Sequence, residues 1–255
     1  MSQKDNQSMQ RFINNSESSS CEKLWLENTE YEDAILIFSN YLKKGDFLDI
    51  GCGTGEILNY MKEKGYGVTG IEPSKIASEN AKIKGLEVYN CDLHEFTLIN
   101  KKFNIINMTN VLEHIPNPEE TIGICKKLLK SNGIIRIKVP NDFNELQLEI
   151  VKNLNKNEWW VAKPDHINYF DFQSLEALLG SMGFKIISRS TDFPMELFLL
   201  MGYDYHTNKD LGKKLHKKRK NLELNLSGDL RRKIYKSLSE IGLGRNVIIY
   251  AMLDS

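Results

Sequence analysis

The sequence predicts an α/β protein built on a doubly wound, mostly parallel sheet. Three observations carry that expectation. Short apolar runs alternate with helical stretches, a glycine-rich turn follows the first run, and Gly65 and Asn132-Gly133 act as helix stops. Strands that alternate with helices of about 10–15 residues imply right-handed crossovers and a sheet covered on both faces.

The elements follow in order. Leu24, Leu26, Ile35, Ile37 and Tyr41 are spaced as one or two helices over 24–42, and Gly45 breaks the pattern. Residues 47–50 form an apolar run ending at Gly51 and read as a buried strand; 56–64 is a helix and 67–71 a second strand. Ser74 is placed to cap a helix over 74–84. Strands are expected at 86–89 and 103–108, a helix at 118–130 and a fifth strand at 134–139. Beyond Pro140, helices over 143–154 and 172–182 and strands over 184–188 and 246–253 complete seven strands. The stretch 193–244 is too long for a plain loop and is expected to be a helical, basic insertion before the last strand. Residues 1–20, rich in Ser, Asn, Gln and charge, read as a flexible arm, leaving 21–192 and 245–255 as the core.

Composition narrows the function. At 255 residues the chain suits one large domain or a core with an insertion. Its 34 Lys+Arg balance 34 Asp+Glu, which argues against coating nucleic acid over the whole surface. No run is long and apolar enough to span a membrane, and residues 1–20 lack the apolar stretch of a secretory signal. Four cysteines without a CxxC pair suit the reduced thiols of a cytoplasmic protein.

The most informative stretch is Asp49, Ile50, Gly51, Cys52, Gly53, Thr54, Gly55. Glycines at alternate positions make a tight turn and let a ligand approach the backbone, next to the positive end of a helix. Such a turn also forms with no ligand, so Glu72 matters: an acid ending the second strand can accept both hydroxyls of a ribose. The third glycine comes one residue early for a dinucleotide fingerprint, and no Gly-Lys-Ser/Thr of a phosphate loop exists. Asp49 beneath the turn would repel a pyrophosphate and attract a cation, so the expected ligand is a positively charged nucleoside.

On these residues the chain resembles the class I S-adenosylmethionine-dependent methyltransferases, most nearly the ubiquinone-pathway O-methyltransferase group, over about residues 45–190. The resemblance implies S-adenosyl-L-methionine as cofactor and S-adenosyl-L-homocysteine as product. It places Asp49, Gly51, Cys52, Gly53, Glu72 and Pro73 at the cofactor, Asp92 and Leu93 at its adenine, and Asn110 and Val111 beside its methionyl part. Asn132-Gly133 before the fifth strand also fits.

Methyl transfer is an in-line displacement, and an oxygen acceptor must also lose a proton. His166, His114 and Tyr169 are the candidates for that task, each weighed against an ordinary structural role. Tyr169 reads as a pocket wall or proton relay, or as a core aromatic. The ubiquinone-pathway pattern Glu-x-x-Glu-His plus a later histidine holds a divalent metal; the matching set is Asn110, Glu113, His114 and His166. Asn110 stands where that pattern has a carboxylate, which weakens a site for a hard cation, so no metal is expected. Glu113 otherwise reads as a helix-start carboxylate satisfying backbone N–H groups.

The acceptor is read from the insertion. Residues 205–236 hold 11 Lys/Arg against 3 Asp/Glu, including Lys213, Lys214, Lys217, Lys218, Arg219, Lys220, Arg231, Arg232 and Lys233. Such runs are usually solvated helix faces. As a site, this one suits a small anionic acceptor, and the resemblance adds a surface-polysaccharide sugar, a nucleotide-linked sugar or a phosphoryl group. An RNA methyltransferase or a silent nucleic-acid adaptor is the alternative, and it is not favoured, because no aromatic interrupts the run. The apolar segment from Pro194 to Met201 is a core helix, an acceptor lid or a contact in a homodimer.

Overall fold

The structure, a computed structural model, describes residues 20–97 and 101–253. The arm expected over 1–20 therefore lies outside the described residues except for Ser20. Two compact units divide the chain: 1–108 with 123–135, and 109–122 with 136–255.

In the first unit, α1 (Ser20–Leu26), a π-helical turn (Glu27–Tyr31) and α2 (Glu32–Ser39) form the expected helical run. α2 buries Ala34 and Phe38, the latter edge-on to Phe47 at 6.4 Å between ring centres. β1 (Asp46–Ile50) pairs in parallel with β2 (Gly67–Ile71) and β4 (Phe103–Thr109), with Leu48 opposite Thr69 and Ile106. β2 in turn pairs in parallel with β3 (Val88–Tyr89). The connections are α3 (Glu56–Glu63) and α4 (Lys75–Ile83), and Ser74 caps α4 by accepting from Ala77 N at 3.4 Å. Asp92 opens a short α5 (Leu93–Phe96) that periodicity did not predict.

α6 (Pro118–Leu128) stops two residues before its expected end, and β5 (Leu129–Pro140) starts at once. The turn residues Asn132 and Gly133, read as a helix stop, lie inside the opening of that strand. Asn132 takes φ 59°, and a Cβ on Gly133 would lie 2.9 Å from the Lys130 carbonyl oxygen, so glycine is the residue that fits there.

The seven strands run in the order β3-β2-β1-β4-β5-β7-β6, with β6 (Phe184–Ser190) antiparallel to β7 (Asn246–Leu253). Order reverses at β1 and β4, the switch point beyond whose carboxyl ends ligands bind in open α/β sheets.

The second unit holds a 3-10 turn (Leu112–His114), α7 (Glu145–Leu154) and α8 (Phe172–Ser181). α7 begins two residues later than expected because Asn144 and Gln147 form a reciprocal cap, their side chains each accepting the other's backbone N–H. Phe143, assigned to the helix by its sequence, is instead held at φ 57° outside it. Residues 193–244 contain α9 (Glu196–Leu200), α10 (Lys209–Asn225) and α11 (Gly228–Glu240). No described helix is long and apolar enough to cross a membrane.

The basic run is not uniformly solvated. Lys213, Lys214, Lys217, Lys218 and Lys233 are exposed, but Arg219 and Arg231 are buried. Arg219 donates to Asp192 at 3.0 Å and lies 3.4 Å from Glu223, while Tyr235 donates to Glu223. Asn246 donates to Asp192 through its backbone (3.0 Å) and its side chain (2.7 Å). Burial alone would raise the Asp192 carboxyl, yet Arg219 and then Lys138 hold it below the usual carboxylate range. The linked stability is therefore present above about pH 4 and is lost as pH falls below that. Arg219→Met should lower the unfolding free energy by about 3–5 kcal/mol in urea, because it removes the buried guanidinium that Asp192 and Glu223 share. Lys217→Gln on the same helix should change it by no more than about 0.5 kcal/mol.

Candidate active site

The turn after β1 carries Gly51, Gly53 and Gly55 at φ 72°, 55° and 81°, a region that side-chain-bearing residues avoid. Gly51 N and Cys52 N both donate to the Ile71 carbonyl (2.8 and 3.0 Å), folding the turn over the end of β2. A Cβ on Gly55 would meet the Leu86 side chain at 2.4 Å, and a φ of 81° strains any side-chain-bearing residue there. Glu72, 5% exposed, accepts from Gly53 N at 2.9 Å with one oxygen and from Ser74 N at 2.8 Å with the other. A carboxylate has about four lone-pair sites, so each oxygen keeps capacity for a hydroxyl. Asn90 fixes the adjoining bend by donating to the carbonyls of Glu72 and Pro73, both at 2.9 Å.

Asp49 is buried beneath this turn and accepts from Asn107 Nδ2 at 2.6 Å. Burial pushes the Cys52 thiol up, and the Asp49 and Glu72 carboxylates add to the shift. The turn thus lies in a negative field suited to a cation. Asp92 accepts from Glu95 N at 2.9 Å as the cap of α5, and Leu93 is buried. Asn110 takes φ 53° with its N–H donated to Lys138 O at 2.8 Å; Val111 follows, half-buried.

In the second unit the structure brings together Glu113, His114 and His166, whose ligand atoms lie within 4.8 Å of one another. Backbone bonds make the junction: Ile167 N and Asn168 N both donate to the Glu113 carbonyl at 3.0 Å. Asn168 Nδ2 also donates to the carbonyls of Ile115 (2.6 Å) and Leu112 (3.3 Å). The two imidazoles consequently lie edge to face, 4.9 Å between centres. His114 Nδ1 donates to the Asp165 carbonyl at 2.7 Å, and its Nε2 lies 3.9 Å from Glu113 Oε1. Burial, then the neighbouring His114, holds the His166 imidazole below its ordinary value, which favours its neutral form.

Glu113 does not serve as a helix-start carboxylate. Its side chain is buried, its Oε2 has no hydrogen-bond partner among the described residues, and burial raises its carboxyl. Tyr169 donates to the His166 carbonyl at 3.3 Å, so its hydroxyl steadies the loop and does not meet an imidazole nitrogen. Asn110 is exposed.

Three residues here escaped sequence reasoning: Asp142, Phe143 and Trp160. Asp142 is 3% exposed, and burial followed by the Glu113 charge pushes its carboxyl up to about 7. Its signal was a polar pair, Asn141-Asp142, directly after the carboxyl end of an apolar strand. Holding Phe143 at positive φ costs about 1–3 kcal/mol, which marks the position as one the surroundings enforce.

The strand order with an antiparallel pair at one edge, the glycine turn and the acid ending β2 together define a class I S-adenosylmethionine-dependent methyltransferase domain. A family model described as "Methyltransferase domain" matches residues 25–189, and the chain belongs to that family. The ubiquinone biosynthesis O-methyltransferase of Histophilus somni (strain 2336) is 35% identical over 108 residues, covering 38% of this chain and 45% of that protein. Its counterpart in Coxiella burnetii (strain Dugway 5J108-111) is 34% identical over 98 residues, covering 36% and 42%. The chain thus spans less than half the length of these curated relatives. Among solved structures, a SAM-dependent methyltransferase from Archaeoglobus fulgidus superposes with TM-score 0.60 at 18% identity, covering 95% of this chain and 99% of that one. The plantazolicin methyltransferase BamL, solved with SAH and a triazolic desmethylPZN analog, gives TM-score 0.61 at 17% identity, covering 96% and 90%. Likenesses this distant speak for the fold alone.

Proposed function

We propose that this chain transfers the methyl group of S-adenosylmethionine to a hydroxyl oxygen of a small acceptor. The bound donor supplies a methyl on a cationic sulfur. Asp49 supplies negative charge under the turn, Gly51, Cys52 and Gly53 present backbone, and Glu72 with Pro73 takes the ribose hydroxyls. Asp92 and Leu93 meet the adenine, and Asn110 and Val111 the methionyl end. The observation that carries the oxygen assignment is His166 beside Glu113 and His114, with its Nδ1 lacking a partner among the described residues; burial favours its neutral form. A neutral imidazole can take a hydroxyl proton, and the buried Glu113 can stabilise the imidazolium that results.

A second reading rests on the same cluster. One carboxylate and two imidazoles are a donor set that suits a divalent transition metal, and His114 is oriented by a carbonyl on its other nitrogen as metal-bound histidines are. The residues therefore fit, even without Asn110, and Glu113, His114 and His166 would hold the ion. It would supply Lewis-acid polarisation of the hydroxyl. The test offers methyl-labelled donor with acceptors that differ only in hydroxyl or amine. Label on oxygen is expected, and label on nitrogen overturns the proposal. Turnover that survives chelation selects the imidazole base; turnover lost and restored by one divalent ion selects the metal.

An anionic acceptor, such as a surface-polysaccharide or nucleotide-linked sugar or a phosphoryl compound, is supported by the exposed Lys213, Lys214, Lys217 and Lys218. Burial of Arg219 and Arg231 removes two cations from the patch an RNA would need. Changing those four lysines to glutamine should raise the acceptor KM about 5- to 10-fold at constant kcat. An unchanged KM assigns them to a solvated face.

A further inference from the structure

In the second unit, Glu113 Oε2, Asp142 Oδ2, Trp160 Nε1 and His166 Nδ1 are buried atoms without a hydrogen-bond partner among the described residues. Glu113, Asp142 and Trp160 are only 1%, 3% and 6% exposed, so this is no accident of a solvated surface. Ring contacts join the same residues. Trp160 meets Phe143 at 5.6 Å, Phe143 meets Tyr169 at 5.9 Å, and Tyr169 meets His166 at 6.3 Å. Phe143 is nevertheless 46% exposed, leaving much of its ring open.

We propose that Glu113, Asp142, Phe143, Trp160, Tyr169 and His166 form the acceptor subsite, and that it takes a saturated ring bearing several hydroxyls, a sugar or cyclitol. This rests on the hydroxyl-transfer reading above. Aromatic rings present negative faces, against which the weakly positive C–H groups of a saturated ring settle. Two carboxyl oxygens call for O–H donors and the indole N–H calls for an acceptor, a mixture that one polyol meets and a monophenol leaves largely unmade. A phosphate or carboxylate at this point would face two acidic side chains, so any charge on the acceptor belongs to another part of it.

The test measures binding without donor, by saturation-transfer NMR, with a panel of neutral monosaccharides and myo-inositol against phenol, catechol and inorganic phosphate. At least one polyol should bind, with strongest transfer to its ring C–H protons, and about five- to tenfold more weakly to Phe143→Ala and Asp142→Asn. Unchanged S-adenosylhomocysteine affinity shows that the variants are folded; Phe143→Leu, milder at that site, serves if Phe143→Ala is not. Binding of phenol or catechol alone, binding of no polyol, or equal polyol binding by the variants overturns the subsite. Label transfer distinguishes the two claims. A polyol that binds but is never methylated on oxygen defeats the hydroxyl-transfer reading, whereas O-methylation of a phenol without polyol binding defeats only the subsite.

Discussion

Glu72→Ala should weaken S-adenosylhomocysteine binding by about 100- to 1,000-fold in calorimetry. The carboxylate has two roles. It accepts from Gly53 N and Ser74 N, so it holds the glycine turn in shape before any ligand arrives. In the proposed complex it also accepts the ribose hydroxyls. Removing it leaves buried donors unmade on both sides, at about 1–3 kcal/mol for each group that loses its partner. Glu72→Gln keeps the volume but turns an amide donor toward one of the two backbone N–H groups, so its loss should be smaller but clear. Wild-type affinity in either variant would remove Glu72 from the cofactor site.

His166→Ala should lower turnover by about 100- to 10,000-fold while leaving donor affinity within about twofold. The loop that carries His166 is held by Ile167, Asn168 and Tyr169, so truncating the ring should leave the backbone in place. Glu113→Gln should also slow turnover, because the amide keeps the shape but cannot stabilise a cation beside it. Metal analysis of the same variants separates the two readings. Metal bound by the wild type and lost with His166 indicates a ligand; a metal-free wild type with the same fall in turnover indicates a base. Wild-type turnover in His166→Ala would defeat both.

Much of the fold was legible because it rests on local chemistry. Short apolar runs marked the strands, Ser74 marked a cap, and three glycines marked the turn after β1, all within spans where neighbours in sequence are neighbours in space. The same locality explains the misreadings. Asn132-Gly133 is a turn signal at a helix end and inside a strand alike, and only the place of β5 between β4 and β7 chose between them. Counting charge over 205–236 ignored direction. Leu215, Arg219 and Glu223 recur every fourth residue, one buried stripe of α10, and Arg219 is spent on Asp192.

The residue types capable of the chemistry were visible in the chain, as were the turn and acid proposed to grip the donor, since a motif's spacing is a property of neighbouring residues. Which of those side chains meet was not. His114 and Asp165 lie 51 residues apart, yet two N–H groups donated to one carbonyl bring their loops together. Asp142 and Trp160 gain their interest only through burial without partners. Burial of a charge or a polar atom depends on what distant segments place around it, and no local pattern encodes that.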